Sequence, residues 1–218
     1  MIHGNESLRY KDASWYGKTK EITVIGLGGV GLGLALHFKN LDNTMYVWDA
    51  DKVETHNCRP QGYFPIQIGK SKVDGYKALC KFMYGDISKI NAYNKWWQED
   101  SPITPITVMA ADDMDTNKKA FEKWALMDDR ELFIDVRLQA EEFDVFFVQK
   151  GDEERYRATL FNNDEAEDAP CSYQQTRHTA MMMHGYVVGI YLNWIEELPS
   201  VPFRSTYISN LNLWKKVK

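Results

Sequence analysis

Ile22 to Gly31 reads ITVIGLGGVG, a short apolar run that ends in glycines at Gly26, Gly28, Gly29 and Gly31. Thr23, Val24 and Ile25 favour a strand, and Gly31 to Phe38 (GLGLALHF) continues as an apolar helix. Met45 to Trp48 (MYVW) makes a second strand, closed by Asp49. In such a strand–helix–strand unit the first glycine permits a tight turn and the second lets backbone N–H groups approach an anion. The third lets the helix pack closely on the strand. The helix N-terminus brings its positive dipole end to the same place. Gly26, Gly28 and Gly31 therefore predict a phosphate site, with Asp49 placed to accept hydrogen bonds from ribose hydroxyls. NAD, FAD, SAM and ATP all satisfy these residues, and so does a plain strand-to-helix turn.

The next segment separates them. Asp49 to Val73, DADKVETHNCRPQGYFPIQIGKSKV, gathers Asp49, Asp51, Asn57, Arg59, Gln61, Lys70 and Lys72 into one polar stretch. A triphosphate needs several cations and amides; a dinucleotide enzyme has no use for them here. On these residues the chain resembles the MoeB/ThiF/HesA family, bacterial relatives of the ubiquitin-activating enzymes. The family pattern is G-x-G-G-x-G, then D-x-D-x-V, then Asn-x-x-Arg-Gln, then G-x-x-K-V. Ile106 to Asp113 (ITVMAADD) reads as a strand ending in acids, with a helix over Thr116 to Met127. Asp112 and Asp113 fall on the family's Asp-Asn pair.

The resemblance implies ATP and Mg²⁺. Asp49 would take the ribose, Lys72 the β- and γ-phosphates, Asn57 the reacting phosphate, and Asp112 the metal. Gly26, Gly28, Gly29, Gly31, Asp51 and Gln61 complete the nucleotide site. It also implies adenylylation of the C-terminal carboxylate of a small protein, in a homodimer. One departure is plain: Pro60 stands where the family has arginine, and Arg59 comes one residue early, while Gln61 keeps register. Pro60 has a fixed φ and no N–H, so Arg59 is either aimed inward for catalysis or solvated. A second is N-terminal, where Arg9 fits poorly the family's arginine that reaches into a partner subunit.

Composition agrees with one globular domain. At 218 residues the chain buries a sizeable core, and 44% hydrophobic with 26% charged residues places it among folded proteins. No run of about 18 apolar residues predicts a membrane span, and the N-terminus lacks an apolar signal core. A net charge of -5 argues against a broad nucleic-acid surface. The three cysteines, Cys58, Cys80 and Cys171, suit a reducing cytoplasm. The family's paired C-x-x-C motifs are missing, so zinc is not expected and the chain resembles a small zinc-less variant.

Downstream, Leu132–Asp135, Phe143–Val148 and Tyr156–Leu160 read as strands, Thr179–Ile195 as a long apolar helix, and Thr206–Trp214 as a weakly alternating final strand. The acidic run after Asn162 leads to Cys171, which the resemblance offers as the thiol that takes the activated acyl group; nearby acids oppose that role. Asp135 and Arg137 either face an incoming substrate chain or form an internal ion pair. His37, His56, His178 and His184 read as core or surface residues rather than metal ligands, with His56 worth a mutation.

The expected fold is α/β and Rossmann-like, mostly parallel, with helices on both faces and a C-terminal extension of strands plus the long helix. A single domain over 1–218 would divide into an ATP-binding half, 1–130, and an extension with crossover loop and helix, 131–218. Two other functions stay open: an NAD(P)-dependent oxidoreductase and a catalytically silent interaction partner.

Overall fold

The computed structural model describes residues 10–162 and 176–217. Eight strands form one mixed sheet in the order β3-β2-β1-β4-β5-β6-β7-β8. They are β1 (Glu21–Ile25), β2 (Thr44–Trp48), β3 (Ile90–Tyr93), β4 (Ile106–Met109), β5 (Leu132–Gln139), β6 (Glu142–Val148), β7 (Arg204–Ile208) and β8 (Leu213–Val217). The first five are parallel, and the remaining pairings are antiparallel. The helices are α1 (Gly29–Asn40), α2 (Lys72–Tyr84), α3 (Met114–Ala125), α4 (Glu153–Arg157) and α5 (Arg177–Ile195).

Alternation along the strands builds two cores. Ile22 and Val24 of β1, Leu132, Ile134 and Val136 of β5, and Phe143, Val145 and Phe147 of β6 pack on one face with α1, α2 and α5. Ile25, Phe133, Phe146 and Val148 point to the other face, against Phe121 and Trp124 of α3 and Tyr156 of α4. Burial on both faces explains why β4 is wholly apolar or Thr and wholly buried. Each large side chain so buried contributes about 1.5–3 kcal/mol. At one edge, β8 carries Lys215 and Lys216 on an exposed strand, which discourages further pairing.

Two sequence expectations are corrected. Tyr156–Leu160 is not a strand: Gly151, at φ 104°, turns the chain, and the helix α4 starts with Glu153 and Glu154 and ends with Arg155 and Arg157. That charge order suits the helix dipole and favours helix over the short β-like pattern. Thr206–Trp214 is two strands, β7 and β8, divided by a 3-10 turn at Ser209–Leu211 and by Asn212 at φ 48°. Asparagine tolerates that left-handed backbone. The long helix α5 precedes this hairpin, as expected of the order of elements. Among the described residues no helix is long and apolar enough to cross a membrane.

Candidate nucleotide site at the β1/β4 switch

The chain leaves β1 into α1 on one face of the sheet and leaves β4 into α3 on the other. The strand ends part there, and open α/β sheets bind ligands at such a point. Gly26 makes the turn at φ 91°, donating to the Trp48 carbonyl at 2.9 Å. A Cβ on it would lie 2.9 Å from Ala111 N, and one on Gly31 would lie 1.9 Å from Gly26 O. Both glycines are therefore required by backbone packing. Gly28 differs: a Cβ there would meet nothing within 4 Å. Gly28 caps α1, Gly29 is its buried first residue, and the first turn contains no acidic side chain. The first-turn N–H groups of α1 have no intrahelical carbonyl to meet, and the positive dipole end lies beside the uncrowded Cβ position of Gly28.

Asp49 stands beside this turn, 4% exposed. Its Oδ2 accepts from Leu27 N at 2.7 Å and its Oδ1 from Asp51 N at 2.8 Å. Burial pushes the carboxyl above its ordinary range, while Lys72 and the two amides oppose that rise. Lys72 is the first residue of α2, behind the Ser71 cap that accepts from Asp74 N. Its Nζ donates to Asp51 Oδ2 at 2.7 Å and lies 3.8 Å from Asp49 Oδ2. Two backbone bonds register the start of α2 here, Lys72 N to Asp51 O and Val53 N to Lys70 O, both 2.8 Å. Tyr63, buried, donates to the Leu27 carbonyl at 2.8 Å and ties the loop beneath the glycine turn.

Asn57 is buried, and its Oδ1 accepts from Glu54 N at 2.7 Å, so its side chain closes a 3-10 turn. Gln61 N donates to Asn57 O, and Gln61 Oε1 is buried without a hydrogen-bond partner among the described residues. Arg59 is exposed, and its carbonyl accepts from Arg177 Nη1 at 3.0 Å. His56 is exposed beside Glu54. Asp112 is exposed just past β4, and Asp113 caps α3 by accepting from Thr116 N and the Thr116 hydroxyl. Cys171 and Arg9 lie outside the described residues.

Asp135 and Arg137 form an internal network. Arg137 Nε donates to Asp135 Oδ2 at 2.7 Å, and Tyr156 OH lies 2.9 Å from both Asp135 Oδ2 and Asn117 Oδ1. The guanidinium also sits over the Phe146 and Phe161 rings. Sequence reading misses the partners of Tyr63, Asn117, Tyr156 and His184. Each meets its partner across many intervening residues, so no local spacing announces it.

Among the described residues no three His, Cys, Asp or Glu side chains cluster as a metal site. Asp112, exposed just past β4, is a single carboxylate, and Mg²⁺ takes one or two carboxylates and fills its octahedron with phosphate oxygens and water.

The fold, an open α/β sheet with its site at the switch point, is shared with solved structures of low sequence identity. It matches the crystal structure of PaaA with a TM-score of 0.72 and 14% identity, over 91% of this chain and 64% of that one. Escherichia coli MccB with MccA-N7isoAsn matches with 0.71 and 13%, over 90% and 63%. MccB with ATP matches with 0.67 and 13%, over 90% and 62%. The chain spans less than two thirds of the length of these structures. No family model and no curated protein matches the sequence.

Proposed function

We propose that this protein uses Mg-ATP to adenylylate a carboxylate, the C-terminus of a small protein. The observation that carries this reading is the open space over Gly28 at the α1 N-terminus, bordered by the buried Asp49 carboxylate. MccB, which shares the fold, has been crystallised with ATP and with MccA. A substrate carboxylate oxygen attacks the α-phosphorus, the bond to the bridging oxygen breaks, and pyrophosphate leaves with the electron pair. No general base is required, because a carboxylate is already ionised near pH 7. The glycine-turn amides and Lys72 stabilise the charge that accumulates on the phosphate oxygens. Asp112 would hold Mg²⁺, whose chemistry is to neutralise that charge. Asp49 would orient the ribose, while Asn57, Asp51 and Gln61 shape the loop around it. Cys171, or a thiol on another protein, would receive the acyl group, and the working unit would be a homodimer.

Pro60, with the solvent-exposed Arg59 beside it, favours a second reading: a silent relative that binds nucleotide without chemistry. ATP–pyrophosphate exchange with peptides bearing a free C-terminus, alongside calorimetric Mg-ATP binding, separates the two. Exchange in the wild type, lost in Lys72→Ala and Asp112→Asn, is the expected result. Equal exchange in all three proteins removes the residue assignment. NAD binding without ATP binding moves the protein to the oxidoreductases.

A further inference from the structure

His184, on α5, reaches across to the helix that opens the nucleotide site. Its Nε2 lies 2.9 Å from Gly29 O and 3.0 Å from Val30 O. Both are carbonyls, so Nε2 carries the proton and donates to both. The two acceptors belong to the first turn of α1, which follows Gly28, where a Cβ would meet nothing within 4 Å. The imidazole fits because residue 33 is glycine: a Cβ there would stand 2.0 Å from His184 Cε1. Burial and the neighbouring His37 hold the ring neutral, with its pKa down to about 4. Nearer the start of α5, Arg177 Nη1 donates to Arg59 O, so this helix touches both the glycine turn and the 57–61 loop.

We infer that His184 is a positioning residue for the nucleotide site: its N–H, bonded to the Gly29 and Val30 carbonyls, fixes the direction in which the first-turn amides of α1 point. The inference rests on the nucleotide reading for its functional consequence and on geometry alone for the clasp. A helix end aims its N–H groups well only if that turn is held, and a small misdirection at a phosphate is costly. A ring serving only as filler would not need two carbonyls at hydrogen-bond distance. A glutamine side chain in place of the imidazole would keep an N–H donor of similar reach, whereas leucine would keep apolar volume and lose the donor.

The test compares wild type, His184→Leu, His184→Gln and Gly33→Ala by Mg-ATP calorimetry and by hydrogen exchange over residues 27–34. His184→Leu is expected to weaken Mg-ATP binding about tenfold and to speed exchange in the first turn of α1. His184→Gln is expected to stay close to wild type in both. Gly33→Ala, which displaces the ring from the opposite helix, should repeat the leucine result. Unchanged exchange in a folded His184→Leu protein overturns the inference, as does a glutamine variant that behaves like leucine. If no protein in the set binds Mg-ATP, wild type included, the adenylylation reading fails. The exchange comparison then decides the clasp by itself.

Discussion

The Lys72 ammonium is held 2.7 Å from the Asp51 carboxylate, with Asp49 next to it at 3.8 Å. Asp49 is buried, whereas the Asp51 side chain is 46% exposed. The two acids therefore hold the lysine with unequal consequence. Asp51 is a solvent-facing partner of the lysine; Asp49 is a buried charge that the fold cannot leave alone. Asp51→Asn is expected to cost less than about 1 kcal/mol in urea unfolding, as exposed pairs do. Because the lysine is then released towards phosphate, Mg-ATP should bind about threefold more tightly, a gain within the range of one exposed pair. Lys72→Ala leaves Asp49 with only its two amides and should cost about 1–3 kcal/mol. Weaker binding in Asp51→Asn would instead make Asp51 a ligand of the nucleotide or its metal.

The glycines of the β1–α1 turn divide into Gly26 and Gly31, where a Cβ would strike backbone, and Gly28, where it would meet nothing within 4 Å. Gly31→Ala drives a Cβ towards Gly26 O and is expected to destabilise the fold by about 3 kcal/mol through overpacking. Gly28→Ala enters open space, with an extended backbone that any residue adopts. Its cost should stay within about 1 kcal/mol, the penalty for alanine at a helix cap. Mg-ATP calorimetry should nevertheless show lost affinity, because the methyl occupies the approach to the amides. Retained affinity in a stable Gly28→Ala protein would place the phosphates elsewhere.

The β1–α1–β2 unit is legible in the sequence because its information is local. An apolar run, glycine spacing and a second apolar run lie within one stretch, and the same residues appear as Glu21–Ile25, Gly29–Asn40 and Thr44–Trp48. Tyr156–Leu160 misleads because a few residues of β-like composition carry less information than the Gly151 turn and the charge order of Glu153 to Arg157. The motif spacing picks out Asn57, Lys72 and Asp112 by type. It says nothing of what they touch: Asn57 closes its own turn and Lys72 pairs with Asp51. What His184 touches is hidden for a related reason. The ring meets its acceptors only after α5 returns across the face of the sheet, and an isolated histidine in an apolar helix has no pattern to mark it.

The buried imidazole also predicts the acid limb of stability. In the fold His184 titrates at about 4 rather than 6.5, because burial disfavours its charged form and His37 adds to the effect. His37 is lowered in the same direction by burial. Between about pH 6.5 and pH 4 the unfolded chain holds more protons at these positions than the folded one, so stability rises with pH through that window and is level above it. At pH 4 the loss from His184 is on the order of 3 kcal/mol, from its shift of pKa. Melting temperature followed from pH 7.5 to pH 4 should fall more steeply for wild type than for His184→Gln, which has nothing to titrate. Parallel curves would show that the ring is hydrated and charges in place.

Arg137 and Asp135 discriminate between a substrate-facing pair and a structural one. Asp135 is 2% exposed, with Arg137 and the Tyr156 hydroxyl at hydrogen-bond distance. Arg137 also donates to the Thr159 carbonyl at 2.9 Å and so ties β5 to the segment after α4. Arg137→Ala strands a buried carboxylate and opens the space between two phenylalanine rings, so a cost of about 3 kcal/mol or more is expected. Tyr156→Phe removes one hydroxyl and should cost about 1–2 kcal/mol. If the network is internal, the Arg137→Ala and Tyr156→Phe losses should fall short of additivity in a double-mutant cycle, since both serve the same carboxylate. Mg-ATP affinity should be unchanged throughout. An Arg137→Ala protein as stable as wild type that fails only in pyrophosphate exchange with a C-terminal peptide would assign the guanidinium to the substrate instead.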